Sequence, residues 1–247
     1  MILKNKNILI TGAGKGIGFE CVKNCIKEGA FVYALIKDKR DIRKFDIFNK
    51  SDFKLVVGNV NNKKLILSIL KNSIHAKKSI NGLVNNAGIR FRKKFSKINE
   101  KELYNVFKVN FFSIFFLIQL FINYLSKLKK SGSIVNISSI VGQIGFKELS
   151  AYASSKGALI SLTKSLASEL ANKKIRINSI SPGFTKTSFY KKFKKKKKLY
   201  NWTLSRIPMN RWGSPTEVSN LVSFLVSENS SYINGENINI DGGWLSS

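Results

Sequence analysis

The chain has 247 residues, is 43% hydrophobic and carries a formal net charge of +29 at pH 7. That length fits one large α/β domain able to bury a sizeable core. His75 is the only histidine, and neither a nucleophile motif nor a carboxylate cluster supports it, so Ser-His-Asp hydrolysis and a metal site are excluded and His75 reads as structural.

The opening MILKNKNILITG reaches a strand and a glycine turn at once, so no signal peptide and a cytoplasmic location are expected. A strand over 7–11 runs into ILITGAGKGIG (8–18), and a helix over 16–28 follows. Gly12, Gly16 and Gly18 give a G-x-x-x-G-x-G spacing. Such a turn lets the backbone approach a pyrophosphate, which the helix N-terminus then stabilises. Cys21 and Cys25 lie four apart in this helix and read as packed thiols, not as a disulfide or a zinc pair.

A second strand over 31–36 ends at Ile36, Lys37 and Asp38. An acidic residue there accepts hydrogen bonds from a ribose 2′-hydroxyl and repels a 2′-phosphate. Lys37, with Lys15 inside the glycine turn, favours NADP, whereas Asp38 argues for NAD; the reading leans to NADP. A strand over 54–57, a helix over 63–74 and a strand over 82–85 come next.

The helix over 100–127 opens at Asn99 with Glu102 three residues on, a capping pattern. Its stretch 106–125, VFKVNFFSIFFLIQLFINYL, is the most apolar of the chain. Lys108, Asn110, Ser113, Gln119 and Asn123 are costly at a bilayer centre, so no membrane span is expected. A strand over 133–138 carries Ser138 at its end, with Ser139 following, where open α/β sheets place ligands. The helix over 151–171 contains YASSK, which sets Tyr152 and Lys156 on one helix face. An ammonium beside a phenol is expected to lower the phenol pKa and make Tyr152 a proton donor to a carbonyl.

After a strand over 176–181 comes SFYKKFKKKKKLYNW (188–202), the only low-complexity segment. Seven of the chain's 43 Lys and Arg residues are arginine. A lysine excess beside many Asn, Ile and Phe fits AT-rich codon usage better than phosphate recognition, which favours the arginine fork. Ser214-Pro215-Thr216-Glu217 then forms a capping box with proline at the first helical position, opening a helix over 215–227. A strand over 236–240 closes the pattern. Alternating apolar strands and helices, without repeat or linker, define one α/β domain over 1–247. It is a Rossmann-type doubly wound parallel sheet of about seven strands, with helices on both faces.

Taken together, TGAGKGIG at 11–18, NNAG at 85–88, Asn110 in KVN, Ser139, the Tyr152/Lys156 pair, SPGFTKT at 181–187 and YINGENINIDGGW near the C-terminus resemble the short-chain dehydrogenase/reductase family, in order and from about residue 5 onward. The resemblance implies an oxidoreductase that interconverts C=O and CH–OH groups with NAD(P). Its implied catalytic tetrad is Asn110, Ser139, Tyr152 and Lys156. Ser139 would hydrogen-bond the carbonyl and Tyr152 would donate the proton. Lys156 would tune the tyrosine and hold the nicotinamide ribose, and Asn110 would anchor a relay water. Strand alternation turns only one of Ser138 and Ser139 into the cleft, and the family pattern picks the second.

The implied cofactor residues are Gly12, Lys15, Gly16, Ile17, Gly18, Lys37, Asn59, Val60, Asn86, Ala87, Gly88, Tyr152, Lys156, Pro182, Gly183 and Thr187. Asn59 departs from the aspartate usual in the family, so an altered adenine contact is expected. The resemblance also implies a substrate lid over 186–213 that carries the lysine run. It further implies pairing of helices 100–127 and 151–171 into dimers and tetramers, and a homotetramer is expected.

Two substrate readings stand. A 3-oxoacyl-[acyl-carrier-protein] reductase would offer Lys129, Lys130, Lys173 and Lys174 near the entrance to an acidic acyl carrier protein. A sugar or sugar-acid dehydrogenase of gluconate type would use Arg90, with Ser139 and Tyr152, on the substrate; Arg90 and Arg92 could pair bidentately with a carboxylate. The acyl reading is placed first. A third reading of another class, a basic nucleic-acid or membrane-surface binder, rests on the lysine run alone and is the least favoured.

Overall fold

Seven apolar segments become the seven strands of one parallel sheet in the computed structural model, which describes residues 1–188 and 190–246. Phe189, inside the expected lid, and Ser247 lie outside the described residues. In chain order the strands are β1 (Asn7–Thr11), β2 (Phe31–Ile36), β3 (Phe53–Val57), β4 (Gly82–Asn85), β5 (Gly132–Ile137), β6 (Ile175–Pro182) and β7 (Asn237–Ile240). They lie in the order β3-β2-β1-β4-β5-β6-β7, so the winding direction reverses between β1 and β4. A crevice opens there at the carboxyl ends of the strands, the usual ligand position in doubly wound sheets.

The principal helices are α1 (Gly16–Lys27), α2 (Lys63–His75), α3 (Glu100–Phe107), α4 (Ser113–Lys127), α5 (Ser150–Leu170), α6 (Tyr190–Lys194), α7 (Lys197–Ser205) and α8 (Pro215–Val226). Side-chain alternation along each strand feeds two cores. Ile8, Ile10, Val84 and Val135 pack with α1 and α8 on one face. Leu9, Leu83, Ile134 and Ile177 pack with α2, α4 and α5 on the other. Both cysteines are buried free thiols in the first core. Burial pushes the Cys25 thiol up to about 12, so neither reacts readily. His75 ends α2 with its side chain exposed.

Both expected capping boxes form, at Asn99/Glu102 and Ser214/Glu217. The expected helix over 100–127 does not run through: Lys108–Phe112 forms a π-helical turn between α3 and α4. This run is long and apolar enough to cross a bilayer by length and composition. Here one side of α4 instead buries Ile114, Leu117, Ile118, Phe121 and Leu125 in the second core. A 3₁₀ segment, Lys39–Ile47, follows β2 and had no sequence signal.

A third, aromatic cluster sits above the carboxyl ends of β5 and β6. Ile140, Phe193, Ile207, Trp212 and Trp244 are buried there, with Phe146, Phe184, Tyr190 and Tyr200 packed against them. Around it fold α6 and α7, which carry the lysine run. Phe193 points inward while Lys191, Lys192 and Lys194–Lys198 are exposed. The run is therefore the outer surface of an amphipathic cover.

Candidate active site

The crevice is a cleft of about 1030 Å³. One end is the glycine turn. Gly12 has φ +63°, and a Cβ there would lie 2.8 Å from Ala87 Cα, so only glycine lets β1 and β4 approach this closely. Thr11 locks the approach: its Oγ1 accepts from the Asn86 and Ala87 amides at 3.1 Å. The Asn86 side-chain amide in turn donates to the Thr11 and Gly12 carbonyls at 3.1 and 3.0 Å. Thr11 and this bracing role of Asn86 were missed in the sequence; a hydroxyl at the strand-to-glycine junction was the available signal.

Gly12, Lys15, Gly16 and Ile17 face the cleft, as do Lys37, Asn59, Val60, Asn86, Ala87, Gly88, Pro182, Gly183 and Thr187. Gly18 does not. It is buried, and a Cβ on it would meet the Gly12 carbonyl oxygen, so it packs α1 beneath the turn. Gly18 thus supports the glycine turn from below.

At the end of β2, Asp38 is already engaged. Its carboxylate accepts from the Arg40 amide at 3.0 Å and from Arg40 Nε at 2.9 and 3.0 Å, and pairs with Arg40 Nη2 at 2.5 Å. These bonds hold its pKa near 2. Lys15, Lys37 and Lys39 line the same end of the cleft. Asn59 Oδ1 accepts from the Asn61 amide at 3.0 Å, so part of its acceptor capacity is spent within the loop.

Ser139, Tyr152 and Lys156 come together at the far end of the cleft. Asn110 lies behind them, fully buried, held by the π turn. Its Oδ1 accepts from the Ile89 amide at 2.8 Å, and its Nδ2 donates to the Ile89 carbonyl and to Ser155 Oγ at 3.0 and 3.1 Å. It thus clips the NNAG strand end to α5. The two serines divide as alternation requires: Ser138 Oγ donates to the Lys156 carbonyl at 2.9 Å. Ser139 Oγ accepts the Val141 amide at 3.3 Å and bonds the Tyr152 phenol.

The electrostatics differ from expectation. Lys156 is buried and donates to the Ile137 carbonyl at 2.7 Å; desolvation lowers its pKa to about 8. Tyr152 is shifted up by burial, and what opposes the shift is the Ser139 hydrogen bond and the Arg90 charge. The opposing groups are Ser139 and Arg90, where Lys156 was expected.

Val141, Phe146, Leu149 and Phe184 wall the cleft beside Ser139 and Tyr152. Arg90 also lines it, its pKa lowered by desolvation and by Arg92 while Tyr152 acts in the opposite sense. Arg92 is instead paired with Glu148 at 2.8 Å. Lys129, Lys130, Lys173 and Lys174 are exposed just before β5 and β6, at the amino ends of the strands. They sit at the opposite edge of the sheet from this chain's cleft, which corrects their expected place at the entrance. Among the described residues no cluster of His, Cys, Asp and Glu could hold a metal.

A doubly wound sheet with a glycine turn at its switch point and a Ser/Tyr/Lys group opposite defines an oxidoreductase of dinucleotide-binding type. Comparison makes this definite. The family described as Enoyl-(Acyl carrier protein) reductase matches residues 12–245, and the chain belongs to the short-chain dehydrogenase/reductase family. It is 36% identical to the 3-oxoacyl-[acyl-carrier-protein] reductase FabG of Thermotoga maritima, over 98% of this chain and 99% of that protein. It is 34% identical to the 5-keto-D-gluconate 5-reductase of Escherichia coli K12, over 98% and 96%. The structure of 4-hydroxyisoleucine dehydrogenase complexed with NADH superposes with a TM-score of 0.91 at 31% identity, covering 98% of this chain and 99% of that one.

Proposed function

We propose that the chain reduces 3-oxoacyl thioesters to 3-hydroxyacyl thioesters with NADPH. The observation that carries this reading is the apolar wall of Val141, Phe146, Leu149 and Phe184 beside Ser139 and Tyr152. An acyl chain fits such a wall, whereas a polyol needs side-chain hydrogen bonds along its length. Polar groups nearby are already committed: Gln143 Nε2 donates to Asn239 at 2.6 Å, and Thr185 Oγ1 to the Gly183 carbonyl at 3.2 Å.

The glycine turn, Asn86–Gly88 and the Pro182–Thr187 segment would hold the dinucleotide, with the pyrophosphate against the turn that opens α1. When bound, the nicotinamide supplies the hydride. Ser139 orients the substrate carbonyl and Tyr152 gives its phenolic proton to the developing alkoxide. Lys156 holds positive charge beneath the site and Asn110 keeps the NNAG strand end in register. NADP is favoured because Lys15 and Lys37 face the cleft while the Asp38 carboxylate is neutralised by Arg40. The NADH carried by one solved relative leaves this choice to the residues. The segment 186–213 is the substrate lid. A cytoplasmic homotetramer completes the proposal; exposed Tyr104, Phe115 and Phe116 on α3 and α4 offer an aromatic face to a second copy.

A sugar-acid substrate is the second reading, favoured by Arg90 in the cleft beside Tyr152. NADPH consumption with acetoacetyl thioesters against 5-keto-D-gluconate separates the two. Turnover of the keto acid alone overturns the acyl reading. Tyr152→Phe should lower kcat with either substrate by about 10²–10⁴-fold, and undiminished turnover refutes the proton-donor role.

A further inference from the structure

The lid holds a polar group that the proposed chemistry leaves unused. Tyr190 OH on α6 and Tyr200 OH on α7 lie 3.2 Å apart. Lys194 Nζ stands over both rings, 5.9 Å from one centroid and 6.0 Å from the other. The pair is fixed from below, since both rings pack on the buried Trp212 at 5.2 and 5.7 Å. It is also tied to the cleft: the Tyr190 amide donates to the carbonyl of Thr187, a cleft residue, at 2.9 Å. No Asp or Glu occurs in the sequence between Glu169 and Glu217.

We infer that Tyr190, Tyr200, Lys194 and the neighbouring Lys186 form a phosphate subsite at the lid, which takes the phosphate of the substrate's thioester handle. The inference rests on the acyl-thioester reading and deepens it. A phosphate offers several strong acceptor oxygens; with one hydroxyl proton held between the two phenols, the other hydroxyl and the flanking ammonium groups are the donors that match it. The mutual hydrogen bond pushes Tyr190 down and Tyr200 up, and Lys194 and Lys186 add positive charge beside Tyr190. Lys197 and Lys198, at the start of α7, carry the same charge on the exposed outer surface. The subsite thus differs from general attraction by a lysine-rich surface, which any exposed lysine of the run would supply.

The test compares pantetheine with 4′-phosphopantetheine, which differ by one phosphate, by calorimetric titration into the full chain. The phosphorylated arm should bind at least about tenfold more tightly. Lys186→Gln with Lys194→Gln should abolish that advantage, and so should Tyr190→Phe with Tyr200→Phe. Lys197→Gln with Lys198→Gln, an equal loss of charge, should preserve it. Equal binding of the two arms overturns the subsite, as does an equal loss in both lysine pairs. Inorganic phosphate binding as tightly as the phosphorylated arm also overturns it, by showing a free-anion site. Kinetics with acetoacetyl-pantetheine and its 4′-phosphate separates the two ideas. Equal kcat/KM refutes the subsite but leaves the reductase reading intact. Absence of turnover with both refutes the reductase reading, while the titrations still decide the subsite.

Discussion

Trp212 should determine whether the lid is folded before substrate arrives. It is fully buried, and its ring lies 4.9 Å from Phe193, 5.0 Å from Phe184, 5.2 Å from Tyr190 and 5.7 Å from Tyr200. Its indole N–H donates to Thr203 Oγ1 at 2.8 Å. Three of these four rings, Phe193, Tyr190 and Tyr200, belong to α6 and α7, so those helices depend on it strongly. Truncating a buried tryptophan to alanine costs roughly 3–5 kcal/mol. If that cost falls on local opening of the lid, amide exchange over 190–205 should accelerate by about 10² to above 10³-fold. Strands β1 to β6 should change far less. Trp212→Phe keeps an aromatic ring but loses the bond to Thr203, about 1 kcal/mol, and should accelerate exchange only about fivefold. Hydrogen exchange read by mass spectrometry on both variants gives the answer. Unchanged exchange in α6 and α7, or acceleration spread evenly over the sheet, would refute the reasoning.

Lys156 carries a pH-dependent cost. Its folded pKa, about 8, lies below the model-peptide value of 10.5 because burial penalises the ammonium. The unfolded chain therefore binds more protons between pH 8 and 10.5, and stability rises with pH across that window. Below pH 8 the folded state carries the whole penalty, of order 3 kcal/mol. Lys156→Met should raise the Tm of the ligand-free chain at pH 7, less what the orphaned Ile137 carbonyl costs, and the gain should shrink by pH 10. A gain that does not change with pH is inconsistent with this account. Arg40→Ala should free the Asp38 carboxylate and shift the ratio of NADPH to NADH dissociation constants about tenfold toward NADH. Asp38→Asn in the same background should reverse the shift, and an unmoved ratio in Arg40→Ala rules the mechanism out. Lys129 holds φ +51° after α4. Lys129→Gly should stabilise the chain by about 1 kcal/mol in urea titration, the cost of a left-handed conformation for a residue with a Cβ. A loss of stability would count against that source of strain.

The strands and the glycine turn were legible because period-2 burial and a close backbone approach each leave a strict residue requirement. Leu9 and Ile10 announce two faces, and Gly12 announces a close backbone approach. Ser138 and Ser139 were separable for the same reason. What the sequence hid are features set by long-range pairing. The engagement of Asp38 by Arg40 depends on a 3₁₀ turn without apolar periodicity. The commitment of Lys156 to the Ile137 carbonyl depends on how deeply α5 sinks against β5. Lys129 and Lys173 were misplaced although the carboxyl-end rule, applied to strands that begin just after them, already put them away from the cleft. In the lysine run the aromatic residues Tyr190, Phe193 and Tyr200 already fitted an amphipathic helix, but the apolar partners that they pack against, Phe184 and Trp212, lie outside it.

The π turn at Lys108–Phe112 has an evolutionary consequence. A π turn holds one residue more than the regular helix it interrupts. Deleting one residue there would let α3 and α4 fuse into a single rod. The flanking helices would keep their phase, because the wider turn absorbs the extra residue, but the bulge that holds Asn110 would be lost. Asn110 would leave the junction with Ile89 and Ser155, although nearly every other residue would survive. The junction of Asn110 with Ile89 and Ser155 can therefore be gained or lost by a single codon insertion that leaves composition and the hydrophobic pattern almost untouched. Comparisons that tolerate gaps in this helix will pass over the event.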